Sequence, residues 1–114
     1  MVNIMNVCEL SAALGCTVLA GEGGLDRPVT GGYCGDLLSW VMGRAHEGDA
    51  WITVMGNLNA IAVAVLADTA CIILAENAAL DADAKARADE QDVPVLQSAQ
   101  PQFTLCAALN GLLK

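Results

Sequence analysis

Three short segments in the second half of the chain consist almost entirely of apolar residues, and the segments between them have helical spacing. The apolar runs cover residues 50–54, 71–74 and 93–96. A strand with one face in water alternates apolar and polar residues, whereas an unbroken apolar run indicates a strand covered on both faces. These strands, with helices between them, predict a parallel sheet in an α/β layer fold.

The first helix is predicted over residues 7–14. Asn6 and Glu9 have the spacing of a capping box, in which each side chain bonds to the backbone N–H of the other residue. Gly15 follows at the position where a glycine commonly ends a helix. Residues 17–20 and 29–34 are predicted as two further strands, although Gly31 and Gly32 weaken the second one.

Another helix is predicted over residues 58–67, with Asn57 or Asn59 as its N-cap. It is apolar almost all round. A helix of this kind has no face suited to water, so we expect it to be sandwiched inside the domain or inside an oligomer.

Three further helices are predicted at residues 37–45, at residues 81–91 and from Pro101 onward. Asp36 and Asp81 are expected to cap the first two of these helices. In the second, Asp83 and Arg87 are spaced to form an ion pair. The helix at 37–45 is expected to bury four apolar side chains: Leu37, Leu38, Val41 and Met42. The predicted fold is therefore one α/β domain over residues 1–114, a small and mostly parallel sheet with helices on both faces.

Composition supports a real core and excludes several classes of function. Apolar residues make up 55% of the 114 residues, but only 4% are aromatic, so Ala, Val and Leu must fill the interior. Trp40 and Trp51 are expected to pack in that core. The formal net charge is −8, with five Lys and Arg against 13 Asp and Glu. So few cations argue against nucleic acid and against an anionic membrane surface as partners.

The five cysteines point to a reducing compartment. Their number is odd and no two have C-x-x-C spacing, which argues against a disulfide scaffold and against a zinc site. We therefore expect separate thiols and a cytoplasmic protein. We also expect no signal peptide, since no Lys or Arg occurs in residues 1–6.

Candidate chemistry is densest in residues 25–33. Gly31 and Gly32 follow Thr30 and leave several backbone N–H groups able to face a ligand, while Asp26 and Arg27 supply a carboxylate and a guanidinium. A purely structural interpretation also accounts for these residues, as a turn, an ion pair and a close crossing of two elements. If the segment binds a ligand, a small anion is expected at residues 30–32 or at the helix start near Asn57 and Asn59.

This segment resembles the signature of the DRTGG domain family. Asp26, Arg27, Thr30, Gly31 and Gly32 match the five residues after which the family is named. The resemblance continues through Tyr33 and Asp36 to residues 51–53, and its agreement with the next forty or so residues makes it specific. Pro28 falls at a position that the signature leaves open.

The resemblance implies a small α/β domain similar to the N-terminal domain of HPr kinase. Such domains occur as regulatory inserts beside CBS domains in pyrophosphatases, within phosphotransacetylases, and as stand-alone proteins often encoded near iron-only hydrogenases. Members tend to form homodimers, which suits the apolar helix at 58–67. No catalytic residue is established for the family, so none is implied here.

Catalytic signals in the sequence itself are weak. The two Gly-rich segments, residues 21–24 and 30–32, are both too short for a phosphate-binding Walker loop, and the G-x-G-x-x-G motif is absent. His46 is the only histidine, at a predicted helix end, where its simplest role is to interact with the helix dipole. Cys34 has no clear activating neighbour except Arg27. We expect no metal and no cofactor.

The sequence leaves three hypotheses for function. The leading one is a homodimeric, non-catalytic regulatory module that senses a small anionic ligand, such as a nucleotide, or docks on a partner enzyme. The second is an accessory or assembly protein for a redox enzyme such as iron-only hydrogenase, steered by the −8 charge. The third is a small enzyme that uses Cys34, Asp36 or His46.

Overall fold

The computed structural model describes residues 5–113, which form a five-stranded sheet with helices packed on it. The elements in chain order are α1 Val7–Leu14, β1 Thr17–Ala20, a short 3-10 helix Glu22–Gly24, β2 Gly31–Cys34, α2 Leu38–Arg44, β3 Asp49–Thr53, α3 Leu58–Ala67, β4 Cys71–Leu74, α4 Ala82–Glu90, β5 Val95–Gln97 and α5 Gln102–Leu112. Within these residues, no helix is long and apolar enough to cross a bilayer.

The strands lie in the order β1-β5-β4-β3-β2. The three pairings among β2, β3, β4 and β5 are parallel, and β1 joins the sheet antiparallel to β5. The predicted α/β class with a mostly parallel sheet is therefore confirmed, and β1 makes the sheet a mixed one. β2 and β1 are the two edge strands, and β2 pairs only with β3 in the described part of the chain.

Two apolar cores cover the two faces of the sheet. On one face α2, α3 and α4 pack over Trp51 and Ile72, and on the other α1 and α5 pack over Ile52 and Ile73. Successive residues of a strand point to opposite faces, so both faces of β3 and β4 are buried. This two-sided burial is the reason for the unbroken apolar runs in the sequence.

The two asparagine caps form as the sequence predicts. Asn6 Oδ1 accepts a hydrogen bond from Glu9 N at 2.8 Å, and Glu9 Oε1 accepts one from Asn6 N at 3.0 Å. Gly15 ends α1 in the left-handed conformation, with φ of 68°. Asn57, rather than Asn59, caps α3, because its Oδ1 accepts a hydrogen bond from Ala60 N at 2.9 Å.

The two predicted aspartate caps are wrong in their contacts. Leu37 is the N-cap of α2, and the Asp36 carboxylate bonds to groups on β3 and α5 instead. Asp81 stands at the N-cap of α4 but makes no capping hydrogen bond with its side chain.

The ion pair predicted on α4 is wrong as well. Lys85 Nζ lies 2.7 Å from Asp89 Oδ2, and this is the ion pair found on that helix in the described residues. The Asp83 carboxylate accepts a hydrogen bond from Ala84 N. Glutamate or aspartate and lysine four residues apart on one helix face attract each other in the same way as the expected pair.

The expected burial on α2 is also wrong for several side chains. Val41 is buried and Leu38 packs partly against the core, whereas Leu37, Met42 and Trp40 are exposed. The reason is that α2 has only seven residues and connects the edge strand β2 to β3, so one narrow face of it contacts the core. The Arg44 guanidinium covers the Trp40 ring at 3.8 Å from its centroid, which is a cation–π contact.

Helix α3 is buried on one side only. Ala60, Ile61, Val63 and Ala64 contact the core, but Val65 and Leu66 are exposed. Of the two expected environments, full cover by the rest of the domain is therefore wrong, and cover inside an oligomer stays a prediction. Its outer side is open to solvent.

Candidate functional site

The signature residues lie at the amino ends of the parallel strands. Val29 N donates to Met5 O at 2.8 Å and Val7 N donates to Arg27 O at 3.0 Å, so this segment also holds the start of α1. Thr30 N donates to Gly48 O at 2.9 Å, just before β2 begins at Gly31. The segment thus joins α1, β2 and the turn before β3.

The two signature glycines allow close packing of the neighbouring side chains. A Cβ added at Gly31 would lie 2.5 Å from Oδ1 of Asp49, and one added at Gly32 would lie 2.6 Å from Cδ2 of Leu109. Both distances are too short for a real side chain. Asp49 is buried and its other oxygen accepts a hydrogen bond from His46 N at 2.8 Å, so it has little freedom to move.

Arg27 and Thr30 line a shallow cavity beside the signature. The Arg27 guanidinium forms an ion pair with Asp68, the residue that ends α3, and the Arg27 side chain is 31% exposed. Thr30 donates to the backbone oxygen of Glu47 at 3.4 Å. The cavity has a volume of about 300 Å³ and is also lined by Glu47. Asp26 lies in the exposed turn before this segment.

The asparagines predicted as ligand-binding residues lie at the other end of the sheet. Asn57 is half-buried and follows the carboxyl end of β3, and Asn59 is exposed on the first turn of α3. β3 has five residues, which at roughly 3.3 Å each separates its two ends by about 15 Å. Arg27 and Thr30 therefore do not share one small-ligand site with Asn57 and Asn59.

Asp36 is the centre of the polar contacts at the carboxyl ends. Its Oδ1 accepts hydrogen bonds from Thr53 Oγ1 at 2.7 Å, from Val54 N at 3.0 Å and from Gln102 Nε2 at 3.1 Å. Thr53 is fully buried, so the Asp36 carboxylate ties the ends of β2, β3 and α5 together. These bonds use the carboxylate as a structural acceptor.

The sheet topology also affects where a ligand would bind. In open α/β sheets, ligands bind beyond the carboxyl ends of the strands, where the strand order reverses. In the described part of the chain, β2, β3, β4 and β5 follow one another across the sheet, and α2, α3 and α4 lie on the same face. The parallel strands therefore do not form that crevice.

Cys34 and Asp36 lie close together, since both contact Gln102, but His46 lies at the other end of β3. Partial burial, then the hydrogen bond and the charge of Cys106, then the charge of Asp36 raise the pKa of Cys34 to about 11. At neutral pH this thiol is therefore almost entirely in its neutral form, whereas a catalytic cysteine has a lowered pKa. The His46 side chain is 87% exposed and its Nδ1 lies 3.8 Å from Asp49 Oδ2. Among residues 5–113, no three His, Cys, Asp or Glu side chains are grouped to hold a metal.

Comparison with protein families decides what kind of domain this is. The family model described as "DRTGG domain" matches residues 9–112. This chain belongs to the DRTGG domain family. The resemblance seen in the signature segment is thereby confirmed, and the DRTGG domain covers nearly the whole chain.

The fold of this DRTGG domain is similar to that of a solved structure. That structure contains the CBS and DRTGG domains of the regulatory region of a Clostridium perfringens pyrophosphatase, complexed with its activator, diadenosine tetraphosphate. The match has a TM-score of 0.70 and 13% identity, and covers 88% of this chain and 44% of that chain. The DRTGG domain described here thus spans less than half the length of that chain. No curated protein matches the sequence.

Two important partners of the signature were not predicted from the sequence. Asp68 pairs with Arg27 although 41 positions separate them, and Asp49 contacts Gly31 across the β2–β3 pairing. No local spacing rule connects residues so far apart. The only sequence signal for Asp68 is its place directly after the apolar helix, at the start of the turn to β4.

Proposed function

We propose that this DRTGG domain is a non-catalytic regulatory binding module that acts as a homodimer, with residues 1–114 forming a single domain. The observation that carries the proposal is a set of exposed apolar side chains on neighbouring helices, combined with a Cys34 pKa that is raised and not lowered. A cytoplasmic location is part of the proposal and is supported by the five free thiols.

The surface lies on α2 and α3, which pack against each other on the same face of the sheet. We call it the α2–α3 face, and it comprises Leu37, Trp40, Met42, Val65 and Leu66. Leu66 is 70% exposed and Trp40 is 54% exposed. Several large apolar side chains exposed on two neighbouring helices of an acidic protein favour an interaction surface there, because their exposure to water is unfavourable.

The homodimer is tested by a charge placed on this face. Wild type is expected to sediment as a dimer at micromolar concentration. Leu66→Glu is expected to weaken the dimer by about 100-fold, since each dimer would bury two unpaired carboxylates. The matched control is Phe103→Glu, which changes a side chain that is 85% exposed on α5, on the opposite face of the sheet.

Analytical ultracentrifugation of the three proteins gives a clear decision. A dimer that survives in Phe103→Glu and dissociates in Leu66→Glu supports self-association through the α2–α3 face. A wild type that is monomeric throughout the micromolar range contradicts the homodimer. Dissociation caused only by Phe103→Glu would move the interface to α5.

The second part of the proposal is a small anionic ligand, with a nucleotide as the first candidate, at the cavity beside Arg27. Arg27 supplies a planar guanidinium and Thr30 a hydroxyl, both suited to phosphate oxygens. The solved relative is complexed with a nucleotide activator, which supports nucleotides as the first probes. Asp68 is the competing acceptor, so a ligand phosphate must replace its carboxylate at Arg27.

Because a ligand and Asp68 would compete for Arg27, substitutions of these two residues are expected to change ligand affinity in opposite directions. Titration calorimetry with diadenosine tetraphosphate, ATP, AMP and inorganic phosphate is expected to detect binding of at least one nucleotide. Arg27→Ala should weaken that binding by about 10- to 100-fold, the loss expected for a charge-assisted hydrogen bond. Asp68→Asn should strengthen it, because it removes the competing charge while asparagine tolerates the positive φ at that position.

Arg87→Ala is the matched control, because Arg87 is an exposed arginine on α4, outside the cavity. It is expected to bind like wild type. If no probe binds wild type, or if Arg27→Ala binds as tightly as wild type, the ligand hypothesis is rejected and only docking remains.

Docking on a partner enzyme is the other candidate mode of action, with iron-only hydrogenase as the candidate partner class. The net charge of −8 favours this mode, because it would steer the domain toward a basic partner surface. The test measures the binding of purified iron-only hydrogenase to wild type and to Leu66→Glu, each at low and at high salt. These measurements distinguish docking from self-association.

A further inference from the structure

An open groove lies between the edge strand β2 and helix α5, away from both the α2–α3 face and the cavity beside Arg27. Its volume is about 200 Å³. Gly32 and Cys34 are two residues apart on β2, so they point to the same face of the sheet. Gly32 lets Leu109 of α5 approach closely, and Cys34 then meets the preceding turns of that helix.

Two thiols line this groove. Cys34 is exposed, and its Sγ lies 3.5 Å from Oε1 of Gln102. Cys106 is half-buried, stands one turn after Gln102 on the same side of α5, and is near enough to Cys34 to contribute to the raised pKa of that thiol. Both cysteines border the same solvent-accessible space. The remaining three cysteines lie outside it.

We propose that Cys34 and Cys106 form an oxidisable dithiol, which a small-molecule disulfide such as oxidised glutathione converts into an intramolecular disulfide across the groove. The disulfide would bridge β2 to α5 and narrow the space between them. In a reducing compartment such a bridge is transient and reports oxidising conditions.

The reaction proceeds by two thiol–disulfide exchanges. The Cys34 thiolate attacks one sulfur of oxidised glutathione, the S–S bond breaks, and one glutathione thiolate leaves and takes up the proton that Cys34 lost. The Cys106 thiolate then attacks the Cys34 sulfur of the mixed disulfide and releases the second glutathione, which takes up the proton of Cys106. Two protein thiols are oxidised and one external disulfide is reduced to two thiols.

The surroundings of Cys34 predict the pH dependence of the first step. Its partial burial, the Cys106 thiol and the Asp36 carboxylate all favour the neutral thiol and raise its pKa to about 11. Since only the thiolate attacks, the rate should rise roughly tenfold for each pH unit throughout the range below that pKa. For an ordinary exposed thiol, the rate would instead level off near pH 8.5, because that is about the usual pKa of such a thiol.

The test uses the full chain and oxidised glutathione. Mass spectrometry under non-reducing conditions is expected to show a loss of two hydrogen atoms, and a peptide map is expected to join the peptides that contain Cys34 and Cys106. The bridge closes a long loop, so the oxidised protein should have a Tm higher by about 10 °C than the reduced protein. Cys34→Ser and Cys106→Ser should each abolish the loss of two hydrogens and the Tm shift.

Cys8→Ser is the matched control, because Cys8 is an exposed thiol outside the groove. It should form the internal disulfide as wild type does. The proposal is overturned if oxidation stops at a stable glutathione adduct on Cys34, if the disulfide formed links two chains, or if it persists in Cys106→Ser. The first two of these outcomes are read from wild type alone, so the decision does not depend on the folding of any variant.

Discussion

Replacing Trp51 by alanine is expected to lower the free energy of unfolding by about 3–5 kcal/mol, the usual loss for a large aromatic in a core. Trp51 is fully buried in the middle of β3, between β2 and β4. Its Nε1 also donates to Gly35 O at 2.9 Å, which holds the chain after β2 in place. The substitution therefore leaves both a cavity and an unpaired carbonyl.

Trp40→Ala is the matched control for this prediction. Trp40 is 54% exposed, and Arg44 covers its ring in a cation–π contact. The same substitution should therefore change the unfolding free energy by about 1 kcal/mol or less. Urea denaturation of both variants in a Leu66→Glu background keeps self-association out of the comparison. Equal losses in the two variants would contradict the burial difference.

Gly56→Ala is expected to destabilise the domain by about 3 kcal/mol, because the backbone itself blocks the added methyl group. A Cβ at Gly56 would lie 1.9 Å from Ala79 O and 2.9 Å from Ala79 C. Asp81 N donates to Gly56 O at 2.8 Å, so the two loops are tied together and cannot separate freely. The loop after β3 also carries the Asn57 cap of α3.

Gly43→Ala provides the opposite expected sign with the same chemical change. Gly43 lies within α2, is exposed, and has no atom within 4 Å of the added Cβ. Alanine should therefore stabilise the domain by about 0.5–1 kcal/mol through helix propensity. Thermal and urea unfolding of the pair measure both changes. A Gly56→Ala variant as stable as wild type would mean that the two loops are not packed as described.

Local patterns in the sequence predicted most of the elements for simple physical reasons. The apolar runs at β3 and β4 follow directly from burial on both faces of the sheet. The capping box at Asn6 and the cap at Asn57 depend on contacts within one helical turn, so the sequence spacing alone specifies them. Trp51 and Trp40 show where this approach fails. Both residues fit the periodicity of the element predicted around them. The packing of helices on the sheet decides that Trp51 is buried and that Trp40 is exposed.

The candidate site residues were also predicted only in part. The sequence identified Arg27, Thr30 and the two glycines as a distinctive group, and the family match confirms the signature they belong to. As an alternative place for a ligand, it offered the helix start near Asn57 and Asn59. The two sets of residues lie at opposite ends of the sheet, because one set precedes a parallel strand and the other follows one.

By itself, the sequence determined the α/β class, the family signature, the asparagine caps and the shortage of cations that argues against nucleic acid. These features depend on composition or on contacts within a few residues. Only the tertiary structure decided that Asp36 joins β2, β3 and α5, that Asp68 pairs with Arg27, and that Cys106 meets Cys34. It also decided which apolar side chains remain on the surface of α2 and α3. Each of these outcomes depends on which distant segments pack against each other, and the spacing of residues along the chain does not specify that packing.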